Sequence, residues 1–241
     1  MGYRIFALAI ALALPALGQP KGGGRGGAPQ TPQAAAPIDL TGYWVAIVNE
    51  DWRFRMVVPP AGDYMGVPMT AESKKVADAW DPNKDDVSGD RCKAYGAPAL
   101  LRQPGHLHIT WQDDRTMKLE TDAGTQTRLF HFGDWKAPAG PSTLQGDSVA
   151  AWENTAVRSL KVTTSHLKAG YLRKNGVPYS ENVALTEYYD VLKEHNGDLM
   201  LVVTTVTTDP QYLREPFIVT SHFKKQDSAA GWTPSACSAK W

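Results

Sequence analysis

Three residue types at suggestive spacing carry the chemistry this sequence offers: His166, Glu187 and Arg173. Along Ser159–His166, strand alternation puts Leu160, Val162, Thr164 and His166 on one face. Along Val183–Val191 the same rule groups Val183, Leu185, Glu187, Tyr189 and Val191. If both faces point inward, an imidazole and a carboxylate take core-side positions, where either needs a polar partner or a wet cavity. The connection Leu167–Ser180 supplies Lys168, Tyr171, Arg173, Asn175 and Tyr179 at one end of these strands. In a catalytic reading His166 moves a proton, because its ordinary pKa lies near neutrality, and Glu187 assists it. Arg173 then holds a carboxylate, or stabilises an enolate or oxyanion, through paired hydrogen bonds. A structural reading uses the same residues as a buried Glu187–Arg173 ion pair, with His166 a satisfied core residue.

The elements that must position these groups read as strands. β-branched and aromatic runs cover Thr41–Val48, Leu107–Gln112, Met117–Asp122, Thr125–Phe132, Ser148–Glu153, Ser159–His166, Val183–Leu192, Asp198–Thr207 and Phe217–Lys225. Trp52–Val58 reads as a further strand, ended by Pro59-Pro60. Ala123-Gly124 reads as a two-residue turn, and Asn196-Gly197 is a strong hairpin signal. Thr70 caps one short helix over Ala71–Trp80, which Asp81-Pro82 ends, and the polar run Lys84–Asp90 reads as a loop. About ten strands joined mostly in sequence imply a mostly β chain: an antiparallel up-and-down barrel, lipocalin-like, with one short helix, in a single domain over 38–241. An exposed sheet edge would disappear on closure.

Other polar groups compete for attention. On the central hairpins, Glu120 and Asp122 share a face with Leu107, Ile109, Trp111, Thr127 and His131, while His108, Met117, Leu119, Arg128 and Phe130 share the other. Both faces are mixed, so the inward one stays open. His108 and His131 fall on opposite faces, which counts against a metal site; none is expected, nor any cofactor. Trp44 and Arg128 join Lys168, Tyr171, Asn175 and Tyr179 as expected ligand contacts. Asn49–Arg55 interleaves charges and aromatics, as a solvated strand end or as a rim that grips a ligand. No nucleophile elbow, zinc-protease, phosphate-loop or dinucleotide motif occurs.

Gly42-Tyr43-Trp44 resembles the G-x-W signature of lipocalin-like barrels. The run from Ser159 to Pro178, Leu185-Thr186-Glu187-Tyr188, and Asp209 to Phe217 resemble exported bacterial lipocalin-like β-barrel proteins, as do Gly62–Pro68 and Ala77–Pro82. The resemblance spans most of residues 40–225. It implies fold and location, and brings no activity with it.

Export is also read from the N-terminus. A short positive start is followed by the apolar run Ile5–Leu14, too short to span a bilayer, with small residues placing cleavage after Gly18. Residues 19–37, rich in Gly, Ala, Pro and Gln, read as a disordered linker. Cys92 and Cys237 are the only cysteines, and in an exported chain they suggest a disulfide. The chain has 25 basic and 25 acidic residues, which argues against nucleic acid as a partner. No polybasic cluster points to membranes, and no membrane insertion of the mature chain is expected. Eight Trp, nine Tyr and six Phe favour a site for a small hydrophobic molecule. The expected function is therefore binding of a small, largely apolar molecule with an anionic or carbonyl group, in a secreted or periplasmic barrel. A cofactor-independent lyase, isomerase or hydratase on the same cavity is one alternative. A structural envelope role without ligand is the other.

Overall fold

The computed structural model describes Gly2, residues 30–154 and residues 158–240. The expected signal peptide over 1–18, Gly2 apart, and residues 19–29 of the expected linker lie outside the described residues. Nine strands close into one barrel: β1 (Gly42–Ile47), β2 (His106–Asp113), β3 (Thr116–Thr121), β4 (Thr127–Phe132), β5 (Asp147–Asn154), β6 (Arg158–Ser165), β9 (Ala184–Lys193), β10 (Leu199–Thr208) and β11 (Phe217–Gln226). Strand order around the wall follows the chain. The small ribbon β7 (Gly170–Tyr171) with β8 (Pro178–Tyr179) is inserted between β6 and β9. The barrel is mixed where an all-antiparallel one was expected: β4 and β5 pair in parallel, Phe130 opposite Ser148. A closed ring with an odd number of strands cannot alternate direction throughout, so nine strands require at least one parallel pair. Residues 133–146 consequently run the length of the barrel, so that β5 starts at the same end as β4.

Alternation along these strands fills the interior. Trp44, Leu107, Ile109, Leu119, Phe130 and Leu160 are among the buried side chains of the main core, sealed at one end by Leu40. Each such side chain, fully buried, stabilises the fold by roughly 1.5–3 kcal/mol. The linker ends sooner than expected. Gln33 N donates to Asp114 O at 3.2 Å and Trp152 Nε1 donates to Pro32 O at 2.9 Å, so the chain already packs on the barrel there.

The opposite end is plugged. Four short helices lie there: α1 (Trp52–Arg55), α2 (Ala71–Asp78), α3 (Pro82–Ser88) and α4 (Ala97–Leu100), with a 3-10 turn at Lys93–Tyr95. Together with β7–β8 they bury a second apolar cluster, including Met69, Ala77, Leu172 and Val177, against Leu185 and Phe217 of the barrel. α2 forms as expected, with the Thr70 hydroxyl accepting from Ser73 N. Two expectations fail nearby. Trp52–Val58 is not a strand, because Asp51 takes a left-handed backbone (φ 51°) and the buried Arg55 donates to Arg102 O at 3.0 Å, winding the segment into one helical turn. Lys84–Asp90 is mostly helix, because Asp81 caps it, Pro82 starts it and Gly89 stops it in a left-handed conformation. Ala123-Gly124 also sits in a longer loop than expected, since Thr121 N pairs with Gln126 O. The Asn196-Gly197 hairpin forms, Lys193 opposite Leu199. A disulfide joins Cys92 to Cys237 and straps the C-terminal tail across the plugged end. Among the described residues no helix is long and apolar enough to cross a membrane.

Candidate functional site

The barrel places Glu187 inside, as alternation on its strand required, with its side chain fully buried. Its partner is Arg128 of β4, not Arg173. Arg128 Nη1 donates to Oε1 at 2.9 Å and Nη2 to Oε2 at 2.6 Å, a bidentate pair. Arg128 Nη2 also donates to Thr164 Oγ1 at 3.1 Å, and the Thr164 and Ser148 hydroxyls are 2.8 Å apart. Arg128 thus reaches along the wall past β5 and β6 to β9. Burial alone would disfavour its charge, but Glu187 outweighs that and raises its pKa. Tyr189 stands beside the pair, and burial, then the Glu187 carboxylate, push its phenol well up. The inward face of the central hairpins is thereby settled, Arg128 and Phe130 pointing in, and the expected grouping is corrected. Leu119 lies opposite both Ile109 and Arg128, so Leu107 and Ile109 share the inward face with Met117, Leu119, Arg128 and Phe130, and His108 and His131 share the outer one.

His166 does not share this interior. The chain leaves β6 at Ser165, and His166 adopts a left-handed backbone (φ 57°) that turns it off the alternation. It lies exposed, with Nδ1 at 2.8 Å from Asp147 Oδ2. Arg173 sits in the plug. Its Nη1 donates to Met65 O at 2.7 Å, and its guanidinium lies over the Phe54 ring at 4.1 Å. The three groups proposed to act together therefore occupy three environments. The general acid/base arrangement of His166, Glu187 and Arg173 is not present, and neither is the Glu187–Arg173 ion pair.

The expected ligand contacts also divide. Trp44 is core, its Nε1 donating to Leu40 O at 2.9 Å. Asn175 is buried and donates to Pro60 O and Asp63 O, pinning the plug. Lys168 stays on the surface, 3.7 Å from Asp90. Tyr171 and Tyr179 do meet in one cleft, of about 430 Å³, between α2, the β7–β8 ribbon and the β10–β11 connection. Lys93, Ser180, Asn182, Gln211 and Tyr212 add to its polar and aromatic wall, and Glu181 places one carboxylate there.

Two carboxylates, Asp209 and Asp85, brace the residues that line this cleft. Asp209 is buried and accepts from Ser180 N at 2.5 Å, Ser180 Oγ at 2.9 Å and Gln211 N at 2.9 Å. It clamps the ribbon to the loop after β10. The signal was present as Asp-Pro followed by polar residues, the pattern of an Asx turn. Asp85 is the second clamp, accepting from Trp80 Nε1 at 3.1 Å, Lys93 Nζ at 2.9 Å and Tyr171 OH at 2.9 Å. Burial works against the Lys93 charge, but Asp85 and Asp90 more than compensate and keep it an ammonium above its ordinary pKa. Burial and then the Asp85 hydrogen bond push the Tyr171 phenol up.

Tyr179 is the most constrained member. Its hydroxyl lies buried between Gly96 and Gly170 and has no hydrogen-bond partner among the described residues. A Cβ at Gly170 would fall 2.5 Å from that oxygen and 2.6 Å from Lys93 O, so only glycine permits the approach. Burial raises the Tyr179 pKa, so the group is a neutral hydroxyl.

Fold and site together define a plugged nine-stranded barrel with a mixed polar and aromatic cleft on the plug. No family model, curated protein or solved structure matches the chain.

Proposed function

We propose that this chain is an exported barrel that binds a small, largely apolar molecule bearing an anionic or carbonyl group in the cleft on its plugged end. The observation that carries the reading is the cleft itself, whose wall brings Lys93 together with Tyr171, Tyr179 and Tyr212. Aromatic walls supply apolar contact, and Lys93, Ser180 and Gln211 supply orientation. The Cys92–Cys237 disulfide supports an oxidising compartment, as in the secretory route or periplasm. The likeness to exported lipocalin-like proteins supports the same location, while the ligand seat moves from the barrel interior to its plug.

A probe with apolar rings and a sulfonate, 1-anilinonaphthalene-8-sulfonate, tests the site. Gln211 is exposed and lines the cleft, so Gln211→Trp fills the hollow without touching the core. Dye affinity is expected to fall at least about tenfold, the loss of one well-filled contact region. Equal affinity in the two proteins would remove the cleft as the binding place.

A structural role without ligand is the second reading. The barrel interior around Glu187, occupied by Arg128, Thr164 and core side chains, favours it.

A further inference from the structure

Three guanidiniums converge beneath the segment that carries α1. The side chains of Arg55, Arg102 and Arg173 are 0%, 5% and 1% exposed. Two carboxylates reach them: Glu50 pairs with Arg55, while Asp51 is 3.0 Å from Arg102 and 3.8 Å from Arg173. Asp63 also attracts Arg173, but it is itself engaged by Arg53 at 2.5 Å. Three buried cations thus share two close anions, and Glu50 is further shared with His222 at 2.8 Å.

The deficit is visible atom by atom. Arg102 Nη1 and Arg173 Nε are buried and have no hydrogen-bond partner among the described residues. A buried donor left unmade is costly, more so on a charged group. Burial lowers the pKa of both, and mutual repulsion lowers Arg173 further, to about 10.

We propose that Arg102 and Arg173 form a seat for the carboxylate of an organic acid, occupied in this structure by the chain's own Asp51. The incumbent is a carboxylate lying between the two forks, which sets the ligand class. The Asp51 side chain is 35% exposed, so the seat opens to solvent through it. The Phe54 and Phe217 rings, 4.1 and 5.8 Å from the Arg173 guanidinium, flank the seat and fit an acid with an aromatic or apolar body. This site is separate from the cleft around Tyr179.

Benzoate is the probe and Asp51→Asn the key variant. Asparagine tolerates the left-handed backbone at this position, so the turn is kept while the competing charge is removed. Benzoate, followed by calorimetry on the full chain, is expected to bind Asp51→Asn at least tenfold more tightly than the parent. Adding Arg102→Gln to that variant should abolish the gain. If the double variant does not fold, Arg173→Lys in the Asp51→Asn background should cut affinity at least threefold by losing the fork geometry. Equal benzoate affinity in parent and Asp51→Asn overturns the proposal. So does a gain that survives loss of either fork. Inorganic phosphate binding as well as benzoate overturns the carboxylate assignment, and Gln211→Trp should leave benzoate affinity unchanged.

Discussion

Two buried arginine arrangements lie in this molecule, and they are built on opposite terms. At the middle of the barrel Arg128 meets Glu187 in a bidentate pair, one cation for one anion, with Thr164 taking another donor. At the plugged end Arg55, Arg102 and Arg173 share Glu50 and Asp51, so the two regions differ in charge balance. Each leaves guanidinium nitrogens without acceptors among the described residues: Arg128 Nε in the barrel, Arg102 Nη1 and Arg173 Nε in the plug. The matched pair links β4 to β9, with Thr164 of β6 bound between them. The unmatched cluster is covered by a short turn whose Asp51 remains partly exposed. A balanced buried charge specifies structure, and an unbalanced one leaves binding energy unspent, which is what a ligand site needs.

The largest effect should come from breaking the balance in the barrel. Glu187→Gln leaves Arg128 buried with no compensating charge and should destabilise the fold by ~3–5 kcal/mol. Urea unfolding followed by tryptophan fluorescence reads this directly. Combining Glu187→Gln with Arg128→Met should recover most of the loss, since two neutral groups need no ion pair. A double variant as unstable as the single one would show that the pair is not acting through charge balance.

At the plugged end the same kind of change should cost less. Arg173→Met removes one cation from a cluster with too many, while losing the hydrogen bond to Met65 O and the stacking on Phe54. The net destabilisation should be at most about 2 kcal/mol, clearly below that of Glu187→Gln. A loss matching Glu187→Gln would mean that the cluster is as tightly balanced as the barrel pair.

A smaller effect separates the two regions by pH. Lys174 lies near the Tyr95 ring in the plug, and burial lowers its pKa to about 7 from 10.5. Between those values the unfolded chain binds the additional proton, so this group makes stability rise as pH goes from about 7 towards 10. Partial exposure limits the contribution to on the order of 1 kcal/mol. The difference in urea midpoint between the parent and Lys174→Met should therefore shift with pH across this window. A difference that stays constant from pH 6.5 to pH 9.5 would contradict the lowered value.

How much of this could be read from residues alone depends on the range of the interaction. The inward face of β9 followed from period-two alternation, which is local, and the Asn196-Gly197 turn from two adjacent residues. The barrel followed because nearly every strand announced itself. The partner of Glu187 did not follow: alternation says which side of a strand a residue takes, but not which of eight other strands faces it at that level. Nothing in the spacing of Arg128 on β4 points to Glu187 on β9. His166 failed for a different reason, since one left-handed residue at a strand end cancels alternation, and His166 carries no sequence mark of that turn. In the plug, Trp52–Val58 had strand-like composition, and contacts from Arg55 to a distant backbone carbonyl overrode it. The cleft was half legible. Tyr171 and Tyr179 lie on one connection and are legible from it, whereas Lys93, Gln211 and the clamping Asp85 and Asp209 come from segments distant in the chain.

The smallest predicted change is a gain in stability. The Tyr179 hydroxyl is buried beside Gly96 and Gly170 without a hydrogen-bond partner, a state that costs free energy in the absence of ligand. Tyr179→Phe removes that oxygen and keeps the ring, so stability should rise by up to about 1 kcal/mol. If the oxygen were only a packing accident, anilinonaphthalene sulfonate should bind the variant as well as the parent. If it completes the cleft, the variant should be more stable and bind the dye severalfold more weakly, the trade expected where a site holds a polar group ready for a partner. A loss of stability in Tyr179→Phe would show that the hydroxyl already has a partner.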